Sequence, residues 1–177
     1  MTMTDQTIQN ENQNQTNHLE PNNDHLKGLG GWLIVVGLGL LIAPISLCIF
    51  LYSTYSEIFT DGIWEMLTMP ESEVFVPYFG VMLITEICVN ILLLFAIIYT
   101  GYLYFSKNKS FPKWYVGIMV FSIVFIILDA FAVSSILPDT KVFDKDTLRE
   151  LGRSLLGAMI WIPYMRVSKR VKATFVN

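Results

Sequence analysis

Residues 32–52 read WLIVVGLGLLIAPISLCIFLY, with no charged side chain among them. A helix advances about 1.5 Å per residue, so roughly 20 apolar residues cross a hydrocarbon core about 30 Å thick. The stretch therefore predicts a membrane span. Three further runs extend the pattern. The second covers about 78–105, with Glu86 as its one ionisable group near mid-depth. The third covers about 114–137 and is interrupted only by Asp129. The fourth, about 148–164, carries Arg149, Glu150 and Arg153 in its first turns before SLLGAMIWIPY.

Charged residues make up 15% of the 177-residue chain. Soluble domains carry about 25%, so the low value favours a polytopic membrane protein. In lipid, backbone groups must be satisfied within the segment, which favours helices. The runs are too continuously apolar for the alternating strands of a barrel. The expected fold is an all-α membrane protein, a four-transmembrane-helix bundle over residues 28–165. An Asn/Gln-rich tail, 1–27, precedes it, and a basic segment, 166–177, follows.

Lysine and arginine set the expected orientation. Lys27, Lys107, Lys109, Lys113, Arg166, Lys169, Arg170 and Lys172 fall on one side of the four spans. Lys141, Lys145, Arg149 and Arg153 fall on the other, where the first loop carries Glu57, Asp61, Glu65, Glu71 and Glu73 instead. The positive-inside rule puts both termini in the cytoplasm, an N-in/C-in bundle. Trp32, Trp114 and Trp161 lie toward the cytoplasmic ends of their spans, where aromatic belts form. The net charge of −3 thus conceals a segregation, acidic outside and basic inside. The short basic run RVSKRVK beside a membrane end reads as a topology determinant and a contact for anionic lipid, not for nucleic acid.

The tail has almost no large apolar residues, and its composition predicts disorder. Its basic-poor start and the long apolar run behind it do not make a secretory signal. His18 and His25 lie in the tail without an acid or cysteine cluster at ligand spacing, so no metal and no cofactor is expected. Cys48 and Cys88 each sit in a span with no second cysteine nearby and read as small apolar packing residues. Gly37, Gly39 and Ala43 suggest close helix approach in the first span, before Pro44 perturbs it. In the first loop, Phe59, Ile63, Met66 and Leu67 share a helical face. That face suits a short amphipathic segment on the outer surface, as a lid over the bundle mouth or a partner surface.

Charge depth is the most informative feature. Counted from the outer ends, Glu86 lies about 13 Å in, Asp129 about 12 Å and Arg153 about 8 Å. Three spans thus place three charges in one layer, with Arg149 one turn above Arg153 and Asn90 one turn below Glu86. A lone charge at mid-span costs about 2.5–3.5 kcal/mol on insertion scales. Pairing offsets this cost, and an arginine fork can bond two carboxylates. The expected arrangement is a structural lock in which Arg153 pairs Asp129, with Glu86 as second acid. The alternative reading is a protonatable carboxyl of a small proton-coupled transporter or transporter accessory subunit. Neither a pair of discontinuous helices nor an inverted repeat is visible, which weakens that alternative. The spans hold no histidine, and the chain has no Gly-x-Ser-x-Gly or His-Glu-x-x-His motif. Ser134 and Ser135 lack a base, so an enzyme is not expected.

Four stretches together resemble one family. They are GLGGWLIVVGLGLLIAP (28–44), ITEICVN (84–90), KNKSFPKW (107–114) and, most specifically, IWIPYMRVSKRVKATFV (160–176). The chain resembles the bacterial multi-pass family catalogued as domain of unknown function 2569, over about residues 28–176. Carried over by position, the resemblance falls on Gly30, Gly31 and Trp32 in the first stretch and on Glu86 and Asn90 in the second. It falls on Phe111 and Pro112 in the third. In the closing stretch it covers Arg153 just upstream, then Trp161, Pro163, Tyr164, Ser168, Arg170, Val171, Lys172, Thr174 and Phe175. It implies an inner-membrane location and no particular activity. The closing motif itself reads as a helix ended or kinked at Pro163, then a surface-lying turn with Val171 and Phe175 on one face. Its alternative reading is a docking motif. The expected role is a non-enzymatic membrane protein acting through interactions, with membrane lipids, a membrane-protein partner or further copies of itself as partners.

Overall fold

A computed structural model describes residues 28–137 and 141–177. Expectations for the 1–27 tail, including His18 and His25, lie outside the described residues. Among the described residues six helices follow in chain order: α1 (Trp32–Thr60), α2 (Ile63–Thr68), α3 (Phe79–Phe105), α4 (Phe111–Ile136), α5 (Lys145–Val167) and α6 (Lys169–Thr174). Among the described residues there is no strand.

Helices α1, α3 and α4 are long and apolar enough to cross a membrane. Their 29, 27 and 26 residues correspond to about 39–44 Å, more than the hydrocarbon core requires. Helix α1 runs through Pro44 and continues two turns past the expected end at Tyr52, reaching Thr60. Helix α4 starts three residues early, with Pro112 in the first turn, where a missing N–H leaves no bond unmade. Helix α5 contains the fourth expected span but is less apolar than the other three. Lys145, Asp146, Arg149, Glu150 and Arg153 occupy its first half.

Helix α5 begins on a well-formed cap. The Asp144 carboxylate accepts the Thr147 N–H at 2.7 Å. At its far end the helix does not stop at Pro163. It continues to Val167, and Ser168 breaks it with an extended backbone. The Ser168 hydroxyl then accepts the Val171 N–H at 3.4 Å and starts α6.

The long helices pack in chain order, α1 on α3, α3 on α4 and α4 on α5. Two hydrogen bonds show that α1 and α3 are antiparallel. Tyr104 near the end of α3 donates to the Leu33 carbonyl at the start of α1, and Tyr55 near the end of α1 reaches Glu86 near the start of α3. Helix α5 comes back to α1 at one end, where Trp32 meets Trp161 edge-on at 6.3 Å between ring centroids. This is the end that gathers Lys107, Lys109, Lys113, Arg166, Lys169, Arg170 and Lys172, here called the basic end.

Apolar packing concentrates at the two ends. The basic end holds Leu33, Val36, Leu103, Tyr104, Phe111, Met165, Val171 and Phe175. The opposite end is closed by Tyr55, Phe79 and Leu83, covered by Trp64 and Leu67 of α2. The first loop thus packs over this end of the bundle, held by the Val76 N–H on the Leu67 carbonyl at 3.0 Å. Between the ends much of the apolar surface faces outward, as at Leu92, Phe95 and Met159, each more than 60% exposed. Such a surface suits lipid, which covers it without cost. Cys48 and Cys88 face outward too, so neither packs between helices as expected.

The Asp144 cap carries a pH signature. Its hydrogen bond from Thr147 holds the carboxyl below the ordinary carboxylate range. A depressed folded pKa contributes stability above the unfolded value of about 3.9 and loses it as pH falls through the folded value. Asp144→Asn keeps an acceptor but cannot titrate. Thermal melts in detergent followed by circular dichroism should show a shallower loss of stability for the variant than for wild type below about pH 4.

Candidate functional site

Two groups of residues stand out, one at each end. The first is the polar layer. Tyr55 lies on the part of α1 that extends beyond the expected span, and it is 7% exposed. Its hydroxyl donates to Glu86 Oε1 at 2.8 Å. Asn90, 8% exposed and one turn along α3, donates Nδ2 to the Glu86 carbonyl at 3.0 Å and to the Tyr55 hydroxyl at 3.4 Å. Tyr55, Glu86 and Asn90 thus form a hydrogen-bonded set joining α1 to α3. Sequence reading singles out Glu86 and Asn90 but has no handle on Tyr55, because nothing in the local pattern shows that α1 continues past Tyr52.

Asp129 is half-buried on α4 and faces the same layer. It lies close enough to Glu86 and Glu150 to repel both. The expected Asp129–Arg153 pair is not formed. Arg153 instead acts on Glu150, three residues back on its own helix. Arg149 pairs with Asp146 at 3.6 Å, and both side chains are more than 70% exposed. The physical reason is reach and position. Both arginines lie in the first half of α5 with exposed side chains, and a long side chain there can carry its guanidinium to the interface. The arginine lock is replaced by a layer of three carboxylates from three helices, one of them held by a tyrosine.

Separate from this layer, a cavity of about 290 Å³ lies between the four long helices, and none of the layer's residues lines it. Ala43 of α1, Ile97 and Thr100 of α3, Tyr115 and Ser122 of α4 and Ser154 of α5 line it. Gly39 also opens into it and contacts no neighbour, whereas Gly37 does make the expected close approach. A Cβ on Gly37 would sit 2.8 Å from the Tyr104 hydroxyl, so only glycine leaves room for the bond to Leu33.

The second group is the basic end, where the family-pattern residues converge. Thr174 is 2% exposed. Its hydroxyl donates to the Gly28 carbonyl at 3.1 Å and lies 3.2 Å from the Gly28 N–H. Phe175 packs on Phe111 at 4.4 Å and on Tyr104 at 5.9 Å. Asn177 accepts the Lys109 N–H at 2.7 Å and donates its own N–H to the Lys107 carbonyl at 3.4 Å. The Arg170 guanidinium lies over Gly30 and Gly31. Gly31 has φ 60° and ψ −136°, a region essentially closed to residues with a Cβ. Trp161 packs on Trp32 and on Tyr164, while Pro163 and Lys172 stay exposed. The closing segment is therefore not a free surface-lying helix. Val171 and Phe175 turn onto the bundle and are almost fully buried. Tyr104 and Gly28 complete the cluster, and only the three-dimensional arrangement brings them in.

Among the described residues no cluster of histidine, cysteine or acidic side chains suits a metal ion. Fold and site together define an all-helical membrane protein, closed at its basic end by its own C-terminus. The chain belongs to the family described as protein of unknown function DUF2569, whose model matches residues 26–176. It is 31% identical over 157 residues to the inner membrane protein YdgK of Escherichia coli (strain K12), covering 84% of this chain and 94% of that protein. No solved structure matches it.

Two measurements test the site. In double-mutant cycles on thermal stability in detergent, Tyr55→Phe and Glu86→Gln should couple by about 0.5–1.5 kcal/mol. Asp129→Asn and Arg153→Gln should be additive. A coupling of the second pair as large as the first would restore the arginine lock. At the other end, Phe175→Ala should cost about 3–5 kcal/mol, because it empties a packed aromatic cluster.

Proposed function

We propose that the chain is an inner-membrane protein with four spans and both termini in the cytoplasm. It acts through protein or lipid interactions and catalyses no reaction. The observation that carries this reading is the basic end. The C-terminal segment folds back onto the start of α1 and the α3–α4 loop, so seven lysines and arginines share one rigid platform. A charged platform beside a ring of tryptophans and tyrosines suits the headgroup region of a bilayer and acidic surfaces docked there.

The fourth span is supported by packing. Helix α5 lies along α4 and ends beside the first turn of α1. Its 23 residues correspond to about 35 Å, enough to traverse the same slab. Its charged first half would occupy the outer interface and the mouth of the bundle. The orientation rests on the excess of lysine and arginine at the basic end. The name of the Escherichia coli relative supports the inner membrane as the location.

The second reading is proton-linked transport, alone or as an accessory subunit. It is favoured by Glu86, Asp129 and Glu150, three carboxylates with no arginine bridging them. Two experiments decide. Reporter fusions after Asn108 and at the C-terminus should give a cytoplasmic signal, and one after Glu71 a periplasmic signal. A periplasmic C-terminus would remove the fourth span. Proteoliposomes loaded with a pH-sensitive dye should show no proton flux above empty vesicles. Flux abolished by Asp129→Asn would establish the transport reading instead.

A further inference from the structure

A groove of about 430 Å³ opens between α3 and α4 on the outside of the bundle. Leu92 and Ala96 form one wall, and Trp114 and Phe121 form the other. Gly117 leaves the floor open, because nothing lies within 4 Å of where a Cβ would stand. Lys113 marks the end of the groove nearest the basic end. We propose that this groove binds one anionic phospholipid from the leaflet at the basic end. An acyl chain lies along Leu92, Ala96, Gly117 and Phe121, and the phosphate meets Lys113.

Three observations carry the assignment. The first is depth. Lys113 to Phe121 spans eight residues of helix, about 12 Å, close to half of a core about 30 Å thick. A groove of that reach fits the chain of a single leaflet. The second is chemistry along its length. The walls are apolar throughout, and the only charge is at the interfacial end. Trp114 stands at that level and packs edge-on against Tyr99 at 5.0 Å, the aromatic pattern of a headgroup boundary. The third is charge. Lys107 and Lys109 in the adjoining loop add to Lys113, and no acidic residue occurs between Phe105 and Leu128. This one-signed rim attracts a headgroup with net negative charge and gains little from a zwitterionic one. The site deepens the interaction reading above. It needs α3 and α4 to cross the bilayer but does not depend on which terminus faces which side.

The test uses the full chain, purified and titrated with phosphatidylglycerol or phosphatidylcholine, with retained lipid counted by native mass spectrometry. Wild type should retain phosphatidylglycerol in preference. Lys113→Gln should weaken phosphatidylglycerol retention about fivefold, the effect of one lysine near a membrane surface, and leave phosphatidylcholine unchanged. Gly117→Leu fills the floor and should reduce retention of both lipids. Lys113 is exposed and Gly117 faces open space, so both variants should melt as wild type does, which circular dichroism checks. Equal retention of the two lipids by wild type overturns the proposal, as does unchanged retention in both variants. A wild-type dimer that Gly117→Leu converts to monomer without loss of lipid would make the groove a contact between copies and would also overturn it.

Discussion

The return of the C-terminus to the bundle is the constraint on which the rest depends. Phe175 packs against the touching rings of Phe111 and Tyr104, and Thr174 ties down the backbone of Gly28. Without these contacts the start of α1, the α3–α4 loop and the end of α5 would share only the Trp32–Trp161 edge and the side chains of the cluster beneath it. With them, three separate parts of the chain are held in one register. That register positions Tyr104 against Gly37 and Leu33, and so sets how α1 lies along α3.

The two ends are held by different physics. At the basic end the chain leaves the lipid, and burying Val171 and Phe175 removes apolar surface from water. The hydrophobic effect operates there as it does in a soluble core. Within the bilayer that driving force is absent, because lipid tails are as apolar as leucine, and association rests on close packing and interhelical hydrogen bonds. The Tyr55–Glu86–Asn90 set supplies such bonds between α1 and α3. Helix α5 touches α1 mainly at the basic end, and the interior cavity lies where the four long helices leave space.

The polar layer has a consequence for charge. Arginines bridging the acids would neutralise them, but the side chains of Arg149 and Arg153 are exposed and make no ion pair with Glu86 or Asp129. The layer therefore keeps an acidic character that a closed ion-pair lock would lack. The Tyr55 hydroxyl is the direct partner of Glu86, and Asp129 shares the layer with Glu86 and Glu150.

The sequence by itself determined the three apolar spans, their ends to within a few residues on α3 and α4, and the segregation of basic from acidic loops. These properties are local, because length, hydropathy and charge are counted along one stretch at a time. It also marked the residues of the closing motif and those of GLGGW, though not that they meet. The tertiary structure alone decided the partners. Glu86 bonds a tyrosine from a part of α1 that reads as loop, since helix continuation past Tyr52 is fixed by packing against α2 and α3. Arg153 forms no ion pair with Asp129, because depth along a helix says nothing about which face a side chain takes. The closing segment folds onto the protein, not the lipid, because Phe111, Tyr104 and Gly28 together form a site that its apolar face fits, and that fit exists only once the helices are packed.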